Sequence, residues 1–283
     1  MKIFKYLVIA LFAVAMVSCG DDEPISTFTR DFNMIYPQFA AGHKSISKIE
    51  QISNKASIVA TANYDGDHLK SVNVVTDYDK DGKKDNEETI YFDYKNGAII
   101  CDKSIQDVTY SFEVNSLGTI TRLKNESTGR TAAALQYTSD NEIEIAQILT
   151  PSSTDVTKVA WLNGNLMQWE SYGVNKKDSV VYEYGVGAPL NKGCIDVVGN
   201  ESFTFTKFVC AIMRNAGLFG ATSTYLPTVI KKDSDYTQVD ETTPPGVIEL
   251  KRYNITYELD GDGYVKSYTT NESPKYTVYI SYR

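Results

Sequence analysis

A short hairpin signature recurs along this chain and constrains its fold more than any other feature. In its full form, as at Tyr64, an aromatic-ended strand leads into a turn rich in Asn, Asp or Gly, and the next strand opens on an aliphatic residue. The copies are residues 64–69, 94–99, 115–120, 161–166 and 259–265. Asn-Gly and Asp-Gly supply the positive φ that tight hairpin turns require. The repetition therefore predicts a meander of consecutive antiparallel strands rather than separate domains.

The strands themselves alternate between apolar and polar residues. Clear examples are 90–94, 255–259 and 276–282. This period of two predicts one dry face and one wet face, and the signals together indicate about a dozen to sixteen strands. Closure into a barrel would remove the exposed edges of such a long meander. Because the outer positions are polar, they do not suit lipid contact. We therefore predict an all-β meander, closed or nearly closed into a soluble barrel.

One stretch, residues 201–218, departs from the strand pattern. Its apolar residues fall at helical spacing, and Gly217 would end a helix. Those apolar residues are Phe205, Phe208, Val209, Ile212 and Met213. The spacing predicts one amphipathic helix that plugs or caps the sheet, with a pair of strands as the alternative.

The N-terminus has the order of a bacterial export signal. Lys2 and Lys5 precede an apolar run at 6–17, which is too short to span a membrane. Small residues then lead to Cys19 in an arrangement that resembles a lipobox, although Met16 replaces the usual Leu. We predict a signal peptide at 1–18, a lipidated Cys19 with an acidic linker at 19–27, and one barrel-like domain at 28–283. The alternative is an ordinary signal peptide with an incidental cysteine.

The acidic run 21–23 follows Cys19 directly. Lipoproteins of the Bacteroidota often carry such a run as a signal for display on the outer face of the outer membrane. The sequence therefore predicts a lipid-anchored outer-membrane protein that faces the cell surface. A location on the periplasmic face, with 21–23 as a plain solvated linker, is the alternative.

Charge and cysteine content exclude some classes of function. Removing Lys2 and Lys5 from 28 basic side chains leaves 26 against 36 acidic ones, a net charge of −10 for the mature chain. No basic run remains, so a nucleic-acid partner is not expected. Three cysteines, Cys101, Cys194 and Cys210, cannot form a complete disulfide framework. Cys194 could pair with Cys210, or all three could be buried thiols.

The C-terminal half resembles a family of Bacteroidota lipoproteins that are described as a domain of unknown function with a porin-like fold. The resemblance covers roughly residues 60–283 and rests on structural motifs. Those motifs are 182–184, 191–192, 195–196, 217–220, 225–227 and 257–265. The resemblance implies a barrel-like β fold, and it brings no activity and no catalytic residues.

The most specific chemical motif is the acidic stretch 77–88. It satisfies the calcium-loop pattern D-x-D-x-D-G-x₅-E, in which hard carboxylate oxygens recur at ligand spacing. The candidate ligands are Asp77, Asp79, Asp81, the carbonyl of Lys83, Asp85 and Glu88. The flanks read as strands rather than as the helices of an EF-hand. We therefore predict a Ca²⁺ loop between two strands, with an acidic solvated hairpin as the alternative.

Other motifs carry little chemistry. Residues 260–263 read as a tight turn, and His43 with His68 lacks the spacing of a zinc site. We find no nucleophile elbow. Trp161 and Trp169 could stack on a sugar, but core packing is the favoured interpretation.

These observations favour a non-enzymatic surface lipoprotein that binds a glycan or another envelope component. A carbohydrate hydrolase with an undetected carboxylate pair and a purely structural envelope protein are the alternatives. A pocket without close carboxylates would favour binding, whereas a carboxylate pair at glycosidase separation would favour the hydrolase. A filled barrel without a pocket would favour the structural role.

Overall fold

The computed structural model describes residues 42–95, 98–103, 108–149, 154–173, 176–193, 195, 207–232, 251–272 and 275–283. The predicted signal peptide, Cys19, the acidic linker and Cys194 lie outside these residues. The thiols of Cys101 and Cys210 are both buried.

Sixteen antiparallel strands close into a single barrel, in which each strand pairs with its neighbour in the sequence and β1 pairs with β16. The strands are β1 (Ile46–Ser53), β2 (Ser57–Asp65), β3 (His68–Asp77), β4 (Asn86–Lys95), β5 (Ala98–Lys103), β6 (Val108–Val114), β7 (Ile120–Asn125), β8 (Arg130–Tyr137), β9 (Ile143–Leu149), β10 (Thr154–Leu162), β11 (Asn165–Gly173), β12 (Lys176–Glu183), β13 (Val229–Lys232), β14 (Lys251–Leu259), β15 (Val265–Thr270) and β16 (Tyr276–Tyr282). The prediction of an all-β meander closed into a barrel is confirmed. Closure leaves no sheet edge open to another chain.

The barrel wall is apolar inside and charged outside. In β4, Ile90 and Phe92 are buried and alternate with exposed residues such as Tyr91. Cross-strand ion pairs cover the outer wall, for example Arg122 with Glu113 at 3.1 Å between guanidinium nitrogen and carboxylate oxygen. A lipid-facing wall would instead carry an apolar band. In the described part of the chain, no helix is long and apolar enough to cross a membrane.

The two ends of the barrel differ. At the end where β1 begins, which we call the plug end, the turns after β2, β6 and β10 are short. The long connection between β12 and β13 also lies at this end, because β12 finishes there. The opposite end, which we call the loop end, carries the acidic loop 78–85 between β3 and β4.

The long connection after β12 contains one helix among the described residues, α1 (Lys207–Asn215). Every residue from 208 to 215 is buried, and the helix packs with inward-facing residues of the strands. Its C-terminus forms a Schellman cap, in which Leu218 N–H donates to Met213 O at 2.9 Å and Gly217 adopts a φ of 79°. The prediction of one helix near 201–218 is confirmed by α1, which occupies the barrel interior as a plug, while 201–206 of the predicted span lie outside the described residues.

Main-chain hydrogen bonds tie the plug to the rim of the barrel. Ile120 N–H of β7 donates to Leu218 O at 2.9 Å, and Ala221 N–H donates to Asn141 O at 2.7 Å. On the other side, Ile46 N–H of β1 donates to the side-chain oxygen of Asn215 at 2.7 Å. The plug is therefore held at several points around the plug end.

Candidate functional site

A cavity of about 650 Å³ lies at the plug end, between the end of the helix and the neighbouring turns. Its size lies within the range of small-molecule sites, roughly 300–1,000 Å³. The described lining residues are Gly42, His43, Ser45, Asp67, His68, Tyr94, Lys95, Ala98, Ile99, Val114, Leu117, Gly118, Asn215, Ala216, Gly217 and Leu218. The lining therefore comes from the segment before β1, three hairpins and the end of the plug.

Two aromatic rings, those of His68 and Tyr94, form one wall. Their centroids are 4.7 Å apart at an interplanar angle of 43°. The hydroxyl of Tyr94 is hydrogen-bonded to the main chain of Leu69, and burial raises the pKa of Tyr94 to about 12. Tyr94 is therefore a neutral phenol at neutral pH, held in place by the start of β3.

A second wall is built on Asn215, the last residue of the helix. Its side-chain amide donates to Gly193 O at 2.7 Å, and its main-chain oxygen lies 3.1 Å from Nε2 of His43. Burial lowers the pKa of His43 and outweighs that hydrogen bond, which acts in the opposite direction. The His43 imidazole is therefore neutral at pH 7 and can donate from Nε2 to this carbonyl.

The chemistry of the cavity suits binding better than bond cleavage. Apolar side chains such as Ile99 and Leu117 share the lining with Asp67 and Lys95. Among the described lining residues Asp67 is the one carboxylate, whereas a glycosidase uses two. A lining that combines apolar and aromatic side chains with convergent polar groups is typical of ligand pockets.

Sequence reasoning missed the meeting of His43 and His68 at this cavity. The two histidines, weighed as a pair, lack the spacing of a metal or catalytic site, so the sequence gives no reason to place them together. They share the lining because the segment before β1 and the turn after β2 are neighbours on the rim of the closed barrel. No local signal in the sequence indicates this arrangement.

The predicted calcium ligands divide into two groups at the loop end. Asp77, Asp79 and Asp85 each offer a carboxylate oxygen, and the three oxygens lie within 4.8 Å of one another. Loop amides also bind these carboxylates, since Lys80 N–H donates to Asp77 Oδ1 at 2.6 Å and Gly82 N–H donates to its Oδ2 at 3.1 Å. Three oxygens at this spacing could converge on one cation with modest movement.

The remaining predicted ligands lie apart from this cluster. The carboxylate of Asp81 accepts hydrogen bonds from the N–H and the ammonium of Lys83, at 2.8 and 3.0 Å. Glu88 is inside β4, opposite Val74 and on the same face as the buried Ile90. A full six-ligand set would thus need rearrangement, and calcium binding stays a prediction.

The weaker motifs have structural roles. Asp260 accepts from Tyr264 N–H at 2.9 Å, and Lys44 pairs with Asp262 at 2.6 Å, which ties the segment before β1 to the β14–β15 turn. The two indole N–H groups are also engaged internally: Trp161 donates to Ile143 O at 2.8 Å, and Trp169 donates to the hydroxyl of Tyr182 at 2.9 Å.

Comparison with known proteins gives the fold and little more. No family model matches the chain, and no curated protein matches it. A solved porin-like protein from Bacteroides uniformis ATCC 8492 is similar with a TM-score of 0.65 and 15% identity, over 84% of this chain and 98% of that chain. A second, from Bacteroides vulgatus ATCC 8482, has a TM-score of 0.49 and 14% identity, over 85% of this chain and 99% of that chain. This chain thus shares the barrel fold of the Bacteroides uniformis porin-like protein.

Proposed function

We propose that this protein is a lipid-anchored envelope protein that binds a ligand without transforming it. The observation that carries the proposal is the cavity of about 650 Å³ at the plug end, whose described lining has a single carboxylate, Asp67. A pocket of this kind favours a binding module over a hydrolase, and its presence favours binding over a purely structural role.

The buried helix further favours binding over passage of solutes. The side chains of Ile212 and Met213 are completely buried inside the barrel, where an open channel would hold water. A ligand that enters at the plug end therefore meets the plug rather than a continuous path. This geometry supports retention of the ligand in the mouth of the barrel.

We propose Cys19 as the anchor and the acidic run 21–23 as the signal for surface display. The charged outer wall supports a domain that stands in water beside the membrane. Cys19→Ala should release the protein from membranes and abolish labelling by a fatty acid. Replacement of 21–23 by alanine should protect the protein from protease added to intact cells, and unchanged accessibility would contradict their signal role.

The ligand that we propose is a glycan or another envelope component. A glycan-array screen of the mature protein is the direct test, and we expect discrete hits. Leu117, which lines the cavity and is 39% exposed, can be changed to Trp to cover the mouth with little cost to the fold. Leu162→Trp is the matched control, because Leu162 is 47% exposed at the same end of the barrel but does not line the cavity.

We expect Leu117→Trp to remove the hits and Leu162→Trp to retain them. Hits that survive Leu117→Trp would place the ligand elsewhere on the protein and contradict the proposal. Turnover of any bound glycan, detected by mass spectrometry, would favour the hydrolase instead.

Calcium at the acidic loop is an accessory part of the proposal. It is supported by the proximity of Asp77, Asp79 and Asp85 at the loop end. The ion would order the connection between β3 and β4, far from the cavity, and so would stabilise the barrel without taking part in ligand binding.

A further inference from the structure

An aromatic side chain closes the plug end of most even-numbered strands. The ring points inward and its polar hydrogen is donated to a main-chain carbonyl at the start of an earlier strand. The pairs with a hydrogen bond to a carbonyl are Tyr64 to Ile46 (2.8 Å), Tyr137 to Ile120 (2.6 Å), Trp161 to Ile143 (2.8 Å), Tyr184 to Leu166 (2.8 Å) and Tyr257 to Pro227 (2.7 Å). The hydroxyl of Tyr94 in β4 also meets the main chain of Leu69, in a hydrogen bond that acts to lower the pKa of Tyr94, unlike donation to a carbonyl.

The register shows that three of these positions are equivalent. Tyr64 pairs with Leu69, Tyr137 with Ile143 and Trp161 with Leu166, in each case directly past a bulge whose extra residue lies in the later strand of the hairpin. The strand that carries the ring alternates without interruption, so Tyr64 follows Ala60 and Ala62 on the inward face, and its hydroxyl reaches the strand before it. The aromatic residue of the hairpin signature thus makes a contact that is repeated around the barrel.

The aromatic side chain is missing in β6, where Val114 holds the equivalent position. Val114 pairs with Ile120 directly past a bulge at Thr121 of β7, in the same register position as Tyr64, Tyr137 and Trp161. An aromatic ring at 114 would reach toward Ala98, which opens β5, but an isopropyl group cannot. In β16 the corresponding Tyr282 packs edge-on against Tyr264, with centroids 5.1 Å apart. Among the described strand ends of this set, β6 therefore lacks the ring, and in β14 the ring of Tyr257 stands two residues before the equivalent position, which Leu259 holds.

The cavity lies beside Val114, where the aromatic side chain is missing. Val114 and Ile99 both line it, and Tyr94 from the adjacent hairpin forms the wall beside them. Elsewhere on the rim, rings such as Tyr137 fill the corresponding space and pack against the core. Because buried protein space is normally close-packed, the missing ring accounts for part of the open volume.

We propose that the cavity takes a ligand with a planar, hydroxylated ring, a phenol-like group, at the position that the β6 aromatic residue would occupy. The ring would lie beside Tyr94, with its hydroxyl directed to the main chain at the start of β5. The rest of the ligand would face Asp67, Lys95 and His43 on the polar side. This inference rests on the proposed binding function and, of its two ligand classes, favours an envelope component that carries a phenol-like ring over an unsubstituted glycan.

The volume supports a ligand larger than the ring alone. A cavity of about 650 Å³ would leave room beside a single ring, and the residual space is bordered by charged and polar side chains. A ring attached to a polar body matches both surroundings, since each part meets side chains of its own polarity.

The test uses p-cresol as the probe and toluene as the matched ring without a hydroxyl, with binding followed by NMR on the full mature protein. We expect saturable p-cresol binding with shifts at Ile99 and Tyr94, and at least about tenfold weaker toluene binding, because a lost hydrogen bond of this kind is worth roughly that factor. Equal binding of the two probes, or no binding of p-cresol, would overturn the ring-with-hydroxyl assignment.

Val114→Tyr tests directly whether the missing aromatic ring creates the binding site. It should restore the missing ring, abolish p-cresol binding and raise the melting temperature by roughly 2–4 °C, the opposite of the usual effect of a core substitution. Val114→Phe should also block the probe but give a smaller rise, because it lacks the hydroxyl. A lower melting temperature for Val114→Tyr, or retained binding of p-cresol, would overturn the inference.

The outcomes separate this inference from the proposed function. Glycan hits that Leu117→Trp removes, without any p-cresol binding, would overturn the phenol-like class and leave the binding function standing. Binding of p-cresol that Val114→Tyr removes supports the ring class whether or not the array gives hits. Leu162→Trp again serves as the control that should bind the probe normally.

Discussion

The plug end and the loop end of this barrel are built by different physical means. At the plug end, buried polar groups such as Asn215 and the main chain of Ile46 satisfy one another across more than 160 residues of sequence. At the loop end, exposed carboxylates such as Asp77 bind amides only a few residues away. Hydrogen bonds between residues far apart in the sequence therefore hold the plug end, which carries the cavity, whereas the acidic loop is held by bonds between near neighbours.

The largest expected effect comes from breaking the plug end at Asn215. Its fully buried side chain serves Ile46 N–H and Gly193 O, so Asn215→Leu would leave both unsatisfied. We expect the free energy of unfolding to fall by about 2–5 kcal/mol, because each such group costs about 1–3 kcal/mol. Urea denaturation measures the loss.

The control for this substitution is Asn73→Leu on the outer wall. The Asn73 amide donates to Thr89 and Glu87 in a partly or fully exposed setting, so its loss should cost less than about 1 kcal/mol. Equal losses for Asn215→Leu and Asn73→Leu would remove the claimed difference between buried and exposed polar contacts.

Calcium sharpens the comparison at the loop end. If the loop binds weakly, as expected for extracellular sites, saturation at about 100 times Kd would stabilise the fold by roughly 2.7 kcal/mol. We expect a higher melting temperature in Ca²⁺ on the order of 10–100 mM, about 100 times a Kd of roughly 10⁻⁴–10⁻³ M, than in chelator. Asp79→Asn should abolish the shift, because Asp79 belongs to the three clustered carboxylates.

Asp81→Asn is the matched variant within the same loop. The carboxylate of Asp81 pairs with Lys83 rather than joining the cluster, so most of the calcium shift should remain. A wild-type midpoint that ignores Ca²⁺, with no heat in calorimetry, would leave the loop as a solvated turn. Loss of the shift in both variants would favour the full sequence motif over the observed cluster.

A smaller, pH-dependent effect is expected at His43. Burial lowers its folded-state pKa below the ordinary 6.5, so the unfolded chain binds the proton more readily. The His43 contribution to stability is therefore full above 6.5 and is lost as the pH falls through the folded-state pKa. The wild type should lose more stability between about pH 7.5 and 5.5 than His43→Gln does.

Urea midpoints of the wild type and of His43→Gln are measured at the two pH values. The difference between the two proteins cancels the contribution of all other titrating groups, because both proteins share them. An identical pH dependence in wild type and His43→Gln would contradict a buried neutral imidazole at the plug end.

The smallest effect is expected on the outer wall. Arg122 and Glu113 form a cross-strand pair in which both side chains are about half exposed. A double-mutant cycle with Arg122→Ala and Glu113→Ala should give a coupling of about 0.2–1 kcal/mol that salt reduces. A coupling energy above that range would contradict the expectation that exposed ion pairs on the outer wall add little to the free energy of unfolding.

The sequence predicted the barrel wall well because its signals are local. Alternation of apolar and polar residues in stretches such as 276–282 indicates which face of a strand is buried. Asn or Gly in the turns indicates where the chain reverses direction. The helix was also visible, since the spacing from Phe208 to Met213 follows its period. The calcium motif was found for the same reason, although spacing could not show that Asp81 binds Lys83 instead.

By itself, then, the sequence determined the strands, their order, the turns and the presence of a helix, because each depends on residues close in the chain. Only the tertiary structure decided that the barrel closes around that helix, that His43 and His68 line one cavity, and that Val114 stands where other strands carry a ring. Those features depend on which distant residues become neighbours when β1 meets β16. Hydrophobic periodicity specifies the face of each strand, but the closure of the sheet specifies what each face meets.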